Sequence, residues 1–332
     1  MPKTGPLSAL TLAAALVALS ACAEGDVEVT AQDDFPNTGI EMVIPYPPGG
    51  GSDELFRMMA RHASEELGVE ITPTNVDGAT ATVGSRQVLD STPDGYTILA
   101  SHQVISGAYH NEIVDYGFES FEPIALGTVT PHLPSISTEF AQEHGIEDLQ
   151  DFLDHVEANP DDVNWGFTTG SEDHYSIAAI LDGAGLDPGS LNYVNYDGTG
   201  PQYAGVVAGE IQGMTGDYAS AQGYIEDGSL MPLGIVAEDR DDNLPELLTV
   251  EEQGVDHTLT VDRGFFAPEG TPEEHIEVIA EAFEAAINSP DFQEEVEAAG
   301  SYAHFLGPEE YQDHLDDLDE AMASLADEMQ EF

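Results

Sequence analysis

The chain has 332 residues and sets 65 acidic residues against six basic ones, a formal net charge of −59. Such a surface repels phosphate backbones and anionic headgroups, which excludes nucleic-acid binding and docking on membranes through a basic patch. Lys3 is the only lysine, so the body of the chain holds no P-loop, Schiff-base lysine or Ser-x-x-Lys nucleophile pair. Hydrophobic residues still make up 41% of the chain, and the acids are spread between apolar positions instead of gathered in a tail. A folded protein solvated for concentrated salt is expected, because at ~1 M salt the Debye length is about 3 Å and self-repulsion is largely screened. The length suits one large or two ordinary domains.

Residues 1–21 read as an export signal. Lys3 gives a small positive start, and Leu7 to Leu19 form an apolar stretch of roughly the required 7–15 residues, well short of the ~20 that span a bilayer. Leu19-Ser20-Ala21-Cys22 then resembles a bacterial lipobox, with Cys22 as the lipidated residue; an incidental small residue after an ordinary cleavage site is the competing reading. Cys22 is the only cysteine, so an intrachain disulfide, a redox pair or a thiolate zinc site is impossible. Residues 22–36 are short, polar and acidic, and read as a tether.

The body alternates strand-like and helix-like segments. Ile40 to Ile44 is an apolar strand, Tyr46 to Asp53 a glycine-rich loop, and Glu54 to Leu67 a helix with Leu55, Met59 and Ala63 on one face. Short strands follow at Val69–Pro73 and, after the Pro93-Asp94-Gly95 turn, at Tyr96–Ala100. Ile146, Leu149, Leu153 and Val156 mark a helix that stops near Asn159-Pro160. Val163–Phe167 is a strand, Thr168–Ser171 a loop of small residues, and His174–Leu181 a helix. Strands at Leu191–Val194 and Ile211–Met214 flank a helix from Pro201 to Ala208, and Met231–Val236 and Val261–Ala267 are apolar strands. From Pro272 onward the pattern reads as helix throughout, ending in a stripe of Tyr311, Leu315, Leu318, Met322, Leu325 and Met329 that suits packing. Alternating strands and helices imply an α/β fold with parallel sheet.

No Gly-x-Ser-x-Gly elbow, His-Glu-x-x-His or dinucleotide-binding glycine motif is present, and none of the eleven histidines pairs at metal-like spacing. No cofactor and no metal are expected. The loop Pro47-Pro48-Gly49-Gly50-Gly51-Ser52-Asp53 is the informative segment. It lies between a strand and a helix, where open α/β sheets bind ligands, and a helix N-terminus holds a carboxylate without a basic side chain. A plain connection capped by Ser52 or Asp53 is the alternative.

IPYPPGGGSDELFRMMARHASEELG, VDGATATVG and STPDGYTILAS together resemble the N-terminal half of the substrate-binding proteins of tripartite tricarboxylate transporters, the TctC/Bug family. Pro48, Gly49, Gly50, Ser52, Asp53, Arg57 and Pro93 to Thr97 match in order and spacing. Asp173-His174, the stretch YDGTGPQYAGVVAGEIQGMTGDYAS and RGFFAPEGTP extend the likeness over about residues 38–330. Asn75 to Ala81 departs from the family loop, losing a cation, a proline and two glycines, and the surface is far more acidic than the family's.

The resemblance implies a two-lobed periplasmic-binding-protein-like α/β fold (type II), with hinge-joined lobes and a ligand cleft between them. Lobe 1 is expected as 37–135 plus 232–332 and lobe 2 as 136–231. It implies a monomer that is not an enzyme, that binds a small di-, tri- or aromatic carboxylate, and that hands it to membrane permease subunits while anchored through Cys22. A secreted α/β hydrolase and a binding protein that feeds a membrane sensor are the other readings. Pro48, Gly49, Gly50, Gly51 and Ser52 are expected to present main-chain donors, with Asp53 capping the helix. Ser101 and His102 are placed in the cleft from the first lobe. Thr168, Thr169, Gly170, Ser171, His174, Tyr196, Gly198 and Thr199 are placed there from the second. Asp217 is expected to orient a loop or bridge water. His174 is read as a carboxylate donor or a structural histidine, and Arg263 as a source of charge or a surface or hinge ion pair.

Overall fold

The computed structural model describes residues 35–329, apart from Gly170, Asp197, Glu238, Asp239, Asp242, Asn243 and Thr258 and the side chains of 327–329. The expected export signal, Cys22 and most of the tether lie outside the described residues.

The chain runs β1 (Ile40–Ile44), α1 (Gly51–Leu67), β2 (Ile71–Asn75), α2 (Thr82–Leu89), β3 (Thr97–Ser101) and α3 (Val104–His110). It continues through β4 (Phe121–Thr130), β5 (Leu133–Ser137), α4 (Thr138–His144), α5 (Leu149–Ala158), β6 (Asn164–Phe167) and α6 (Glu172–Gly183). Then come β7 (Asn192–Asn195), α7 (Thr199–Val207), β8 (Gly213–Gly216), α8 (Tyr218–Glu226), β9 (Leu230–Pro232) and β10 (Val261–Pro268). The last elements are α9 (Glu273–Ile287), α10 (Pro290–Ala298), β11 (Tyr302–Leu306) and α11 (Pro308–Met329).

Two sheets result. The first has the order β11-β4-β10-β3-β1-β2 and the second β7-β6-β8-β5-β9. β1 pairs in parallel with β2 and β3, while β10 runs antiparallel to β3 and β4, and β11 antiparallel to β4. In the second sheet β6 is parallel to β7 and β8, and β5 is antiparallel to β8 and β9. The sheets are therefore mixed, not purely parallel as alternation alone implied.

Apolar periodicity explains the packing. The stripe of Leu55, Phe56, Met59, Ala60 and Ala63 on α1 enters one core with Ile276, Ile279 and Phe283 of α9 against the first sheet. Tyr311, Leu315, Leu318 and Met322 of α11 are buried on the other face of that sheet with Val43, Leu99 and Phe266. The second sheet has its own core around Phe152, Trp165, Ile177 and Leu181. Gly68 ends α1 with a φ of +76°, a left-handed closure that glycine adopts without strain.

Three elements differ from expectation for physical reasons. β4 was not legible because Pro123 and Gly127 interrupt it. A Cβ on Gly127 would lie 2.5 Å from Met59 Sδ, so the gap is what lets α1 sit on the strand. β11 breaks the expected all-helical C-terminal portion; it is an edge strand, intermediate or exposed in burial, with no apolar run to reveal it. α1 starts at Gly51 and not at Glu54, because glycines tolerate the first turn once Gly50 supplies the extended cap.

The chain leaves the first sheet after Thr130 and enters the second at Leu133. Residues 233–255, expected in lobe 1, pack on the second sheet. Leu233, Val236, Val250 and Val255 belong to its core, and Val236 bridges to His132. The return comes between Val255 and Val261.

Candidate ligand site between two lobes

The expected site residues follow the carboxyl ends of strands that pair in parallel. The glycine-rich loop with Pro48 follows β1, His102 follows β3, Thr168 follows β6, Tyr196 follows β7 and Asp217 follows β8. This is the position at which open α/β sheets hold ligands.

The glycine loop is shaped by an acid. Asp53 is buried, and its Oδ2 accepts from the Gly49 N–H at 2.8 Å. Its Oδ1 accepts from Arg57 Nε and from Asn75 Nδ2, both at 2.8 Å, and Asn75 Nδ2 also donates to the Tyr46 carbonyl at 3.0 Å. Burial works against the Asp53 charge, yet the Gly49, Asn75 and Arg57 donors win and hold its pKa below the usual value. Asp53 is thus not the helix cap; Gly50 is, and it uses no side chain. Gly49 sits at φ +82°, which its lack of a Cβ permits. Its N–H is spent on Asp53. Pro48 has no N–H at all. The donors left for a ligand are the Gly50 N–H and those of the first helical turn, Gly51 and Ser52 among them, which no helix can satisfy internally.

Arg263 occupies the centre of the first-lobe side. It is 6% exposed on β10; its Nε donates to Ser52 Oγ at 3.0 Å and its NH1 to Thr130 Oγ1 at 2.5 Å. Arg57, Arg61, Arg86 and Arg240 each pair with a carboxylate, of Asp53, Glu295, Asp115 and Glu252 respectively. Arg263 forms no ion pair among the described residues. Burial lowers its pKa, opposed by the fields of Asp217, Glu172, Tyr46 and Asp262. Beside it Tyr46 bonds Ser101 Oγ at 3.0 Å and stacks on the His102 ring at 4.6 Å. Burial pushes the Tyr46 hydroxyl far up and His102 down to about 4, so both are neutral at pH 7.

Glu172, the first residue of α6, brings the second lobe to this cluster. Its Oε2 lies 3.4 Å from His102 Nδ1, and both atoms are buried without a hydrogen bond. Burial opposes the Glu172 charge, and the fields of His102, His132 and Arg263 outweigh it and lower its pKa. His132, at the crossing between sheets, is buried with an unbonded Nδ1 and is likewise lowered by burial. Tyr46 entered the sequence reading only as the start of the glycine-rich loop, and Glu172, His132 and Thr130 were absent from it. These three come from an exposed-looking helix start, a crossing loop and a strand end, which carry no motif.

The remaining second-lobe residues form a separate hydrogen-bonded loop frame. Asp173 is buried and accepts from Thr168 N–H at 3.2 Å, His174 N–H at 2.9 Å and Gln202 Nε2 at 2.8 Å, and from the Ser171 hydroxyl. Burial pushes its pKa up to about 7 against these donors. Thr168 Oγ1 accepts from Gly198 N–H at 3.3 Å, and Thr169 N–H donates to Asn195 Oδ1 at 3.1 Å. Gly198 caps α7, which begins at Thr199. Gly170 is outside the described residues. The His174 ring packs 4.0 Å from Phe167 and 5.3 Å from Tyr193, and burial pushes its pKa to about 4. The Tyr196 hydroxyl lies against Gly205 of α7, where an added Cβ would come within 2.6 Å. Asp217 caps α8 through Ser220 N–H at 2.9 Å.

Two sheets, each with its own core, form the two-lobed α/β fold of periplasmic binding proteins. The family profile described as "Tripartite tricarboxylate transporter family receptor" matches residues 55–317, and the chain belongs to that TctC family, whose members are binding proteins and not enzymes. A UPF0065 protein from the tcbD-tcbE intergenic region of Pseudomonas sp. strain P51 is 28% identical over 273 residues, covering 81% of this chain and 79% of its own. MatC of Rhodopseudomonas palustris, solved with bound malate, is 25% identical with a TM-score of 0.74, over 88% of this chain and all of its own. R. palustris Rpa4515, solved with adipate, shares the fold at 22% identity and a TM-score of 0.74, over 88% and 98% of the two chains. Among the described residues no helix is long and apolar enough to cross a membrane.

Proposed function

We propose that this receptor binds a small carboxylate between its lobes, with the ligand's anionic group on Arg263 and on the first-turn N–H groups of Gly51 and Ser52. The observation that carries the reading is a buried guanidinium held by two hydroxyls, with no carboxylate paired to it among the described residues. An isolated buried charge is costly, and an anionic ligand supplies the missing partner. Malate and adipate in solved relatives favour a dicarboxylate. The proposed lobes are 35–131 plus 256–329 and 132–255, following the two sheets and their cores. Ser101, His102, Thr168, Thr169, Ser171, Gly198 and Thr199 line the loops that approach each other, and Asp53, Asp173 and Asp217 hold those loops in shape. A ligand touching both lobes favours their closure, and the closed form is what the permease subunits accept.

The reading extends to an extracytoplasmic protein tethered through lipidated Cys22 and working as a monomer in concentrated salt. A thermal-shift screen at high salt, with malate, adipate, tricarboxylates and aromatic acids, tests the central claim. One carboxylate at 100 times its dissociation constant is expected to add about 2.7 kcal/mol of stability. No shift with any acid, but a shift with neutral solutes, overturns it. The same melts in dilute buffer test the salt reading: a large drop in Tm is expected, and an unchanged Tm rejects it. Mass spectrometry of Cys22 in membrane extracts reads the anchor directly.

A further inference from the structure

Histidine spacing in the sequence gives no metal site, yet the fold brings His144 and His155 together on the second lobe. His144 ends α4, His155 lies in the last turn of α5, and Asp162 follows in the loop before β6. One ligand atom from each of the three lies within 4.8 Å of the others. His155 Nε2 and Asp162 Oδ2 are 3.2 Å apart. Tetrahedral zinc with ligand bonds of ~2.0–2.1 Å separates its ligand atoms by about 3.3 Å, so one edge of such a site already has the required length.

The rings are held from behind. Phe140, one turn before His144, packs 4.5 Å from the His144 ring and perpendicular to His155 at 5.4 Å, and the two imidazoles meet edge to face at 4.6 Å. His155 is mostly enclosed, while His144 and Asp162 are exposed, so the open side faces solvent and gives an entry path. In a chain with 65 carboxylates, acidic density alone would give many such groups; among the described residues this is the only one.

We infer that His144, His155 and Asp162 form a binding site for a borderline divalent transition ion, zinc above all, with water completing the coordination. Two imidazoles and one carboxylate suit zinc, copper, nickel or cobalt, and not magnesium or calcium, which take oxygen donors. The ion would staple α4, α5 and the loop before β6 together, away from the glycine loop and Arg263. The acidic surface raises the local concentration of any cation that approaches.

Zinc titration of the chelator-stripped protein at high salt, with excess magnesium to occupy surface carboxylates, tests this. One zinc per chain is expected, and cobalt in its place should give the visible absorption of a site with nitrogen ligands. His144→Ala, an exposed change that leaves the core intact, should weaken binding at least tenfold, and Asp162→Asn should weaken it too. Zinc binding that is absent, or that persists unchanged in both variants, overturns the site.

Discussion

Arg263→Met is expected to weaken carboxylate binding about 30-fold or more while leaving the ligand-free protein as stable as before, or more so. The two effects separate because they have different physical origins. In the free protein, Arg263 is a buried charge that donates only to the hydroxyls of Ser52 and Thr130. Replacing an imperfectly paired buried ion by an apolar side chain of similar volume is often neutral or stabilising. In the complex the same guanidinium meets the ligand's carboxylate away from water, and truncating one member of such a pair costs about 2–5 kcal/mol. Arg263→Lys keeps the charge but not the fork that bonds both hydroxyls, so an intermediate loss is expected. Calorimetric titration with the best acid from the screen, beside melts of the free variants, makes the comparison. Binding of Arg263→Met within threefold of the parent would remove Arg263 from the site.

Acidification from pH 7 to 5 in high salt is expected to destabilise the protein well before its carboxylates titrate. Burial holds His102 and His174 down to about 4 and His257 to about 3, and lowers His132 as well. Each binds its proton more weakly folded than unfolded. As pH falls below the unfolded value near 6.5, the unfolded chain takes up protons that the folded one refuses, and stability is lost until the folded value is reached. Each such proton is worth about 1.4 kcal/mol per pH unit. Asp173 acts in the opposite sense. With its pKa pushed up to about 7, it takes a proton in the folded state first, adding stability as pH falls through 7 toward its ordinary value of 3.8. His314, raised by its hydrogen bond to Asp262, acts in the same sense as Asp173. Four lowered histidines oppose these two groups, so the net slope is downward. Unfolding free energies at pH 7, 6 and 5 measure it, and His174→Phe, which suits the contacts with Phe167 and Tyr193, should flatten it by about one proton. Stability that stays level from pH 7 to 5 contradicts this account.

The parts of the molecule legible in the sequence are those set by local pattern. β1 was placed residue for residue because Ile40, Met42, Val43 and Ile44 form a short buried apolar run, interrupted only by exposed Glu41, between turn residues. The loops at Tyr46–Asp53 and Thr168–Ser171 were visible as glycine and small-residue breaks before helices. What local pattern does not encode is which distant groups share a hydrogen bond. Asp53 looked like a helix cap, and its partner Asn75 is 22 residues away on β2. Arg263 stood out as a cation inside an apolar strand, but its hydroxyl partners lie 133 and 211 residues earlier in the chain. Glu172 and His132 have no sequence signature, because their meaning arises only where the two sheets face each other. The return to the first sheet was expected too early because Met231–Val236 is an apolar segment that suits either core.

The enclosure of Arg263 has a bearing on the proposed work in concentrated salt. Arg61, Arg86 and Arg240 stand half in solvent, where concentrated ions swarm around any exposed charge and blunt its reach. A buried guanidinium bonded to Ser52 and Thr130 is reached by few of those ions, so in the proposed site its pull on a docked anion would outlast that of an exposed lysine. Under the proposed site, the exterior can carry acid for solvation while an anion is still retained, because the cation that would face it is enclosed.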